Sequence, residues 1–223
     1  MHSYRAVSRD DGATWAGPHS LPGGIDNVWV NKGIRLASGR WVIPVSWAEL
    51  IGEEWCEPTH GRPPLAPGAG GRLLTVPTIP YMAESMLWQR AGNEWADRNH
   101  RYCVGVILSD DGGQSFRRSG YLRGGMHGWL IEPRVVELEP GHLVMLIRSQ
   151  RDGRLWRAES FDGGESWSRP ERSEIPNPAA KVLLLKAADG RVFLVHNPVD
   201  SSAEIMRGRN PLSATNPSSV PGP

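Results

Sequence analysis

The chain has 223 residues, a length that suits one domain or part of a larger one. Apolar residues make up 39% of it, so a packed core is expected and disorder is not. The formal net charge is +1 and no apolar run approaches the roughly 20 residues that cross a membrane, so we predict neither nucleic acid nor membrane as a partner.

The first predicted element is a tight turn, "SRDDGATW", which begins at Ser8. Closely similar strings return as "SDDGGQSF" from Ser109 and "SFDGGESW" from Ser160. In each string the aspartate can accept hydrogen bonds from backbone N–H groups of its own turn, and the following glycine can adopt positive φ. The aromatic residue at the end can pack under the turn, so the string predicts a self-capped hairpin turn with an aromatic anchor.

A second pattern predicts pairs of strands joined by a turn that contains glycine. It occurs as "IRLASGRWVIPV" from Ile34, "VVELEPGHLVML" from Val135 and "LLLKAADGRVFLV" from Leu183. Both patterns recur with a period near 50 residues and one interval of about twice that length. With 26 Gly and 19 Pro indicating many tight turns and short strands, this period is typical of β-propeller blades. We therefore predict an all-β fold, an incomplete β-propeller.

The long interval holds a stretch rich in Gly and Pro, "EPTHGRPPLAPGAGG", without regular alternation of apolar residues. We interpret about 49–100 as an insertion within one blade. Residues 1–223 are then predicted to form a single partial propeller domain, with an irregular tail at about 213–223.

The three aspartate turns resemble the Asp-box (BNR) repeats of the sialidase, or neuraminidase, superfamily. The resemblance implies a six-bladed propeller whose boxes lie at the periphery of the blades, away from the active site. Six blades at this period need roughly 300 residues or more, so the chain is predicted to hold about three to four of them, as a fragment.

The segment "IEPRVVELEPGHLVMLIRS", from Ile131, carries a sharper resemblance to the same superfamily. There a glutamate opens one strand and activates a tyrosine nucleophile, and an arginine that ends the next strand binds the substrate carboxylate. These positions match Glu132 and Arg148. Independently of the family, a three-residue loop at Glu139 to Gly141 would place Glu132 opposite Arg148. A guanidinium suits a carboxylate because its planar fork forms two parallel hydrogen bonds.

Two further residues are predicted to bind the substrate. Arg209, in "RGRNPL", resembles another arginine of the family's carboxylate-binding triad. His127, in "GGMHGWLIEP", lies shortly before Glu132 and is predicted to line the same cleft. The chemistry implied by the family requires no metal, and we predict no cofactor.

The resemblance implies retaining hydrolysis of a terminal sialic acid, or a related carboxylated sugar, from an acidic glycan. The family's acid/base aspartate and its tyrosine nucleophile have no assigned counterparts in this sequence, so activity of the isolated chain is left open. One alternative is a uronate polysaccharide lyase, in which His127 would act as the base. The other is a carbohydrate-binding propeller without catalysis.

Overall fold

The computed structural model describes residues 3–23, 25–26, 28–50, 100–123, 129–150, 153–199 and 212–215. All the regular secondary structure within these ranges is β-strand. In chain order the strands are β1 Tyr4–Val7, β2 Ala16–Ser20, β3 Trp29–Val30, β4 Ile34–Arg35, β5 Trp41–Leu50, β6 His100–Ser109, β7 Arg117–Leu122, β8 Leu130–Glu139, β9 His142–Ser149, β10 Arg154–Ser160, β11 Glu171–Pro176, β12 Leu183–Lys186, β13 Val192–His196 and β14 Ser213–Thr215.

The strands form four sheets, each built from consecutive strands of the chain. The first sheet is β1-β2, and the second has the order β3-β5-β6-β7 with β4 also pairing with β5. The third has the order β8-β9-β10-β11, and the fourth the order β12-β13-β14. This succession of antiparallel sheets is the pattern of propeller blades.

The core consists of three apolar clusters, two of which join successive sheets. One cluster joins the second and third sheets, with Val106 and Leu108 of β6 packed among Leu143, Met145 and Ile147 of β9. Another joins the third and fourth sheets, and it contains Val144 and Leu146 of β9. The third cluster is centred on β5 and β6. Alternate side chains of a strand point to opposite faces, and β9 contributes to a cluster on each of its faces. For this reason β9 is apolar at every position from Leu143 to Ile147.

The aspartate turns have the predicted structure. In the third turn Asp162 Oδ1 accepts a hydrogen bond from the Ser166 N–H at 2.9 Å, and the Ser160 hydroxyl donates to Asp162 at 2.7 Å. Gly164 has a φ of 91°, and the Trp167 indole donates to its carbonyl at 3.1 Å. The other two turns repeat the aspartate bonds at the same positions. Each turn joins the last two strands of its sheet, at β1-β2, β6-β7 and β10-β11.

Two predictions of chain organisation have different outcomes. The predicted irregular tail is wrong at Ser213–Thr215, because these residues form β14 by pairing with the edge of β13. The remainder of that tail, and nearly all of the predicted insertion at about 49–100, lie outside the described residues. The single-domain assignment therefore stays a prediction.

Within the described ranges, no helix is long and apolar enough to cross a membrane.

Candidate functional site

Glu132 lies at an irregularity near the start of β8. The pairing of β8 with β9 shifts between Ile131, which faces Arg148, and Arg134, which faces Leu146. Glu132 sits within this bulge with a φ of 51°, a conformation that L-residues other than asparagine and aspartate seldom adopt. Bulges of this kind change the direction of a side chain and occur often beside active sites. The local backbone thus sets the direction of the Glu132 carboxylate.

Arg148, at the end of β9, receives that carboxylate. Its Nη1 donates to Glu132 Oε2 at 2.7 Å, and its Nη2 donates to Gln150 Oε1 at 2.9 Å. The Arg148 side chain is 10% exposed and that of Glu132 is 26% exposed. The Arg148 Nε is buried without a hydrogen-bond partner among the described residues. The guanidinium is therefore fixed in place by two contacts, while its Nε–H is unused.

An aromatic pair lies beside the cluster formed by Glu132, Arg148 and Gln150. The backbone N–H of Gln150 donates to the Trp129 carbonyl at 3.1 Å, so Trp129 adjoins the Arg148 end of the sheet. The Trp129 ring stacks on Tyr102 with 4.5 Å between ring centroids. Flat aromatic faces of this kind can pack against a sugar ring or another apolar surface.

The cluster and the aspartate turn of the same sheet lie at opposite ends. Arg148 faces Leu155 near the start of β10, whereas Leu143 faces Ser160 at its end, where the turn begins. Because β9 and β10 are antiparallel, these pairings place the turn at the far end of the sheet from Glu132. The turn is thus a structural element, remote from the candidate site.

The structure brings together two of the four predicted site residues, Glu132 and Arg148. His127 and Arg209 lie outside the described residues, so their assignments stay predictions. Gln150 was not predicted, although it follows Arg148 by two positions and so had the spacing of a neighbour on the same strand face.

The predicted hairpin loop needs a correction. The loop has two residues, Pro140 and Gly141, because Glu139 faces His142 and a second irregularity falls between Glu137 and Glu139. Over Arg134 to Glu137 the pairing is nevertheless the one predicted. The bulge at Glu132 then moves the residue facing Arg148 from Glu132 to Ile131, and the two charged side chains meet diagonally.

Among the described residues, no group of three or more His, Cys, Asp or Glu side chains has the arrangement of a metal site.

Comparison with known protein families identifies the family to which this chain belongs. The family model of the BNR repeat-like domain matches residues 94–220, which is more than half of the chain. The chain belongs to the BNR repeat-like domain family, within the sialidase superfamily. The matched range includes the second and third aspartate turns, together with Glu132 and Arg148.

A curated relative of this BNR-family chain is a sialidase of Bacteroides fragilis (strain YCH46). The two are 31% identical over 90 residues, which is 39% of this chain and 16% of the relative. The chain thus spans a small part of the length of the relative that it matches.

Solved structures share the fold. The Hadza microbial sialidase Hz136 aligns with a TM-score of 0.59 at 18% identity, over 98% of this chain and 35% of that one. A protein of unknown function from Dyadobacter fermentans aligns with a TM-score of 0.57 at 16% identity, over 96% of this chain and 51% of that one. A mutant of the NanB sialidase from Streptococcus pneumoniae aligns with a TM-score of 0.54 at 18% identity, over 88% of this chain and 24% of that one. The predicted fold class, an all-β partial propeller of the sialidase type, is confirmed.

Proposed function

We propose that this BNR-family chain is part of a sialidase-like exo-glycosidase acting on a terminal sialic acid or a related carboxylated sugar. The observation that carries the proposal is the ion pair between Glu132 and Arg148, 2.7 Å apart at one end of a blade. Its support from similarity is the Bacteroides fragilis sialidase, to which the chain is 31% identical over 90 residues.

Arg148 is the proposed ligand of the sugar carboxylate. A guanidinium binds a carboxylate through two parallel N–H donors in a planar fork. Gln150 holds one side of the guanidinium by a 2.9 Å hydrogen bond, which limits its rotation. A group held in this way loses little conformational entropy when the substrate binds.

Glu132 is the proposed base. In the family's retaining reaction a glutamate takes the proton of a tyrosine hydroxyl, whose oxygen then attacks the anomeric carbon. The bond from that carbon to the leaving oxygen breaks as an aspartate protonates the oxygen, and water then hydrolyses the glycosyl-enzyme. The tyrosine and the aspartate are not assigned to residues of this sequence.

The test measures turnover of a fluorogenic sialoside and binding of free sialic acid by the 223-residue chain. We expect Glu132→Gln to lower turnover by about 10²- to 10⁴-fold while sialic acid still binds, because the variant removes a general base. Arg148→Lys should weaken binding by tenfold or more, since lysine lacks the bidentate fork. Glu139→Gln, at the exposed far end of β8, is the matched control and should change neither quantity.

Three results would contradict the proposal. Unchanged turnover in Glu132→Gln removes the assigned base. Binding of sialic acid that survives Arg148→Lys in full removes the carboxylate ligand. Release of unsaturated uronate products from an acidic polysaccharide, abolished by His127→Ala, would show the lyase alternative instead.

A further inference from the structure

A cavity of about 290 Å³ lies between β4, β8 and β12, which belong to three neighbouring sheets. Its lining includes four cationic side chains and one anionic side chain, with several aliphatic residues between them. The cations are Lys32, Arg35, Arg134 and Lys186, and the anion is Glu137. Neither Glu132 nor Arg148 is among the lining residues, so this cavity differs from the candidate active site.

Arg134 is the buried cation of this cavity. Its relative exposure is 9%, and its Nε donates to the Val182 carbonyl at 2.9 Å. Its Nη1 is buried and has no hydrogen-bond partner among the described residues. Burial lowers the pKa of Arg134, and the negative charge of Glu132 offsets that effect only in part. A buried guanidinium with an unused donor is costly unless another group satisfies it.

The one carboxylate in the lining does not satisfy Arg134. Glu137 Oε2 accepts a hydrogen bond from the Ala37 N–H at 2.8 Å, and Oε1 accepts from the Gly141 N–H at 3.1 Å. Both of its oxygens therefore accept hydrogen bonds from backbone N–H groups near the hairpin end of β8. Lys186 donates to the Leu138 carbonyl at 2.9 Å, which holds its ammonium at the same end. The lining keeps an excess of positive charge around the unused donor.

We propose that this cavity binds a small oxyanion, with Arg134 as its central ligand and Lys32 and Arg35 at its rim. Sulfate, phosphate and sugar carboxylate share the chemistry of two or more oxygens on one centre, which matches a guanidinium fork. The volume suits one such group or one acidic sugar ring and not an extended chain. The inference does not rest on the proposed glycosidase activity, because the two sites have no lining residue in common.

The test is calorimetric titration of the 223-residue chain with sodium sulfate, sodium phosphate and sodium glucuronate at constant ionic strength. We expect an anion to bind in this cavity, and the ranking of the three distinguishes a sulfate or phosphate group from a sugar carboxylate. Arg134→Gln should weaken the binding by about ten- to hundredfold, as expected for loss of a charged hydrogen bond. Arg191→Gln is the matched control, since Arg191 is an exposed arginine paired with Asp189.

A second variant covers the case in which Arg134→Gln fails to fold. Lys32 and Arg35 are exposed, so the double variant Lys32→Gln/Arg35→Gln should fold and bind the anion at least tenfold more weakly. No binding of any of the three anions, or equal binding by the wild type and the double variant, would overturn the inference.

Discussion

At the scale of single residues, the backbone of Glu132 is the most informative feature. A φ of 51° at a glutamate inside a strand is uncommon and costs of order 1 kcal/mol, so surrounding contacts must hold it. The bond from Arg148 at 2.7 Å is one such contact. Strained residues tend to occur at functional sites, which agrees with the role proposed for Glu132.

Replacement of Glu132 tests this strain. Glu132→Val should lower the free energy of unfolding by about 1–2 kcal/mol more than Glu132→Asn, because a β-branched residue tolerates positive φ poorly and asparagine tolerates it well. Urea unfolding of the two variants measures the difference. The same pair of substitutions at Glu139, which is not among the residues with positive φ, is the control. Equal stability of Glu132→Val and Glu132→Asn would mean that the backbone there is not constrained.

At the scale of elements, the three aspartate turns share one bonding pattern but differ in burial. The first-position serine accepts a hydrogen bond from the glycine N–H at 2.7 Å in the first turn and 2.8 Å in the third. Ser160 is 1% exposed, whereas Ser8 lies in a turn that is open to solvent. The same interaction is therefore made in two different surroundings.

Ser160→Ala should therefore be more destabilising than Ser8→Ala. In the buried turn the variant leaves the Gly164 N–H without a partner, at a cost of about 1–3 kcal/mol. In the exposed turn water can satisfy the Gly12 N–H, so we expect a loss of a few tenths of a kcal/mol. Thermal unfolding of the two variants, side by side with the wild type, makes the comparison. A larger effect of Ser8→Ala would contradict this account of the turns.

The turns also predict how stability depends on pH. The Thr14 hydroxyl and backbone lower the pKa of Asp10 to about 2. At Asp162 burial raises the pKa, but the hydrogen bonds from Ser166, Ser160 and the Glu165 backbone together outweigh it and lower the pKa to about 2. The Ser115 hydroxyl and backbone likewise lower the pKa of Asp111. A lowered carboxyl pKa stabilises the fold above the unfolded value, about 3.9, and this stabilisation is lost as the pH falls through the folded value.

We therefore expect the free energy of unfolding to drop as the pH falls from about 4 to 2. Urea titrations across that range measure the drop in the free energy of unfolding. The drop should be smaller in Asp162→Asn, because this variant lacks one of the carboxylates that become protonated. A variant with the full wild-type pH dependence would show that this turn does not contribute.

At the scale of the whole molecule, an ion-pair network joins the second and third sheets. Arg40 lies at its centre, 2.5 Å from Asp110 and 2.9 Å from Glu165. Arg117 pairs with the same two carboxylates. Arg40 also donates to the Gly163 carbonyl at 3.1 Å. Because Glu165 and Gly163 belong to the third aspartate turn, the network connects that turn to the neighbouring sheet.

Arg40→Gln should lower the free energy of unfolding by about 1–2 kcal/mol at low ionic strength, and by less at high salt, where surface charges are screened. Thermal unfolding at two salt concentrations measures both effects. The control Arg191→Gln removes a pair within one turn and should cost about 0.5 kcal/mol or less. An effect of Arg40→Gln equal to the control at low salt would show that the network does not hold the sheets together.

The sequence by itself determined the repeating elements of this protein. The turn at Ser160 and the strand pair around Gly190 are local structures, made by residues that are neighbours in the chain, and so their pattern predicts them. The pairing of β8 with β9 between Arg134 and Glu137 agrees with the predicted one, although the loop is one residue shorter than predicted, because an irregularity between Glu137 and Glu139 compensates for the difference.

Only the tertiary structure decided how the sites are assembled. The bulge at Glu132 and the unused donor of Arg134 have no local signal in the sequence. Each depends on contacts between strands or between sheets, as Arg134 shows by donating to Val182, 48 residues further along the chain. Short-range patterns specify strands and turns, whereas the burial and partners of a charged group arise only when separate sheets pack together.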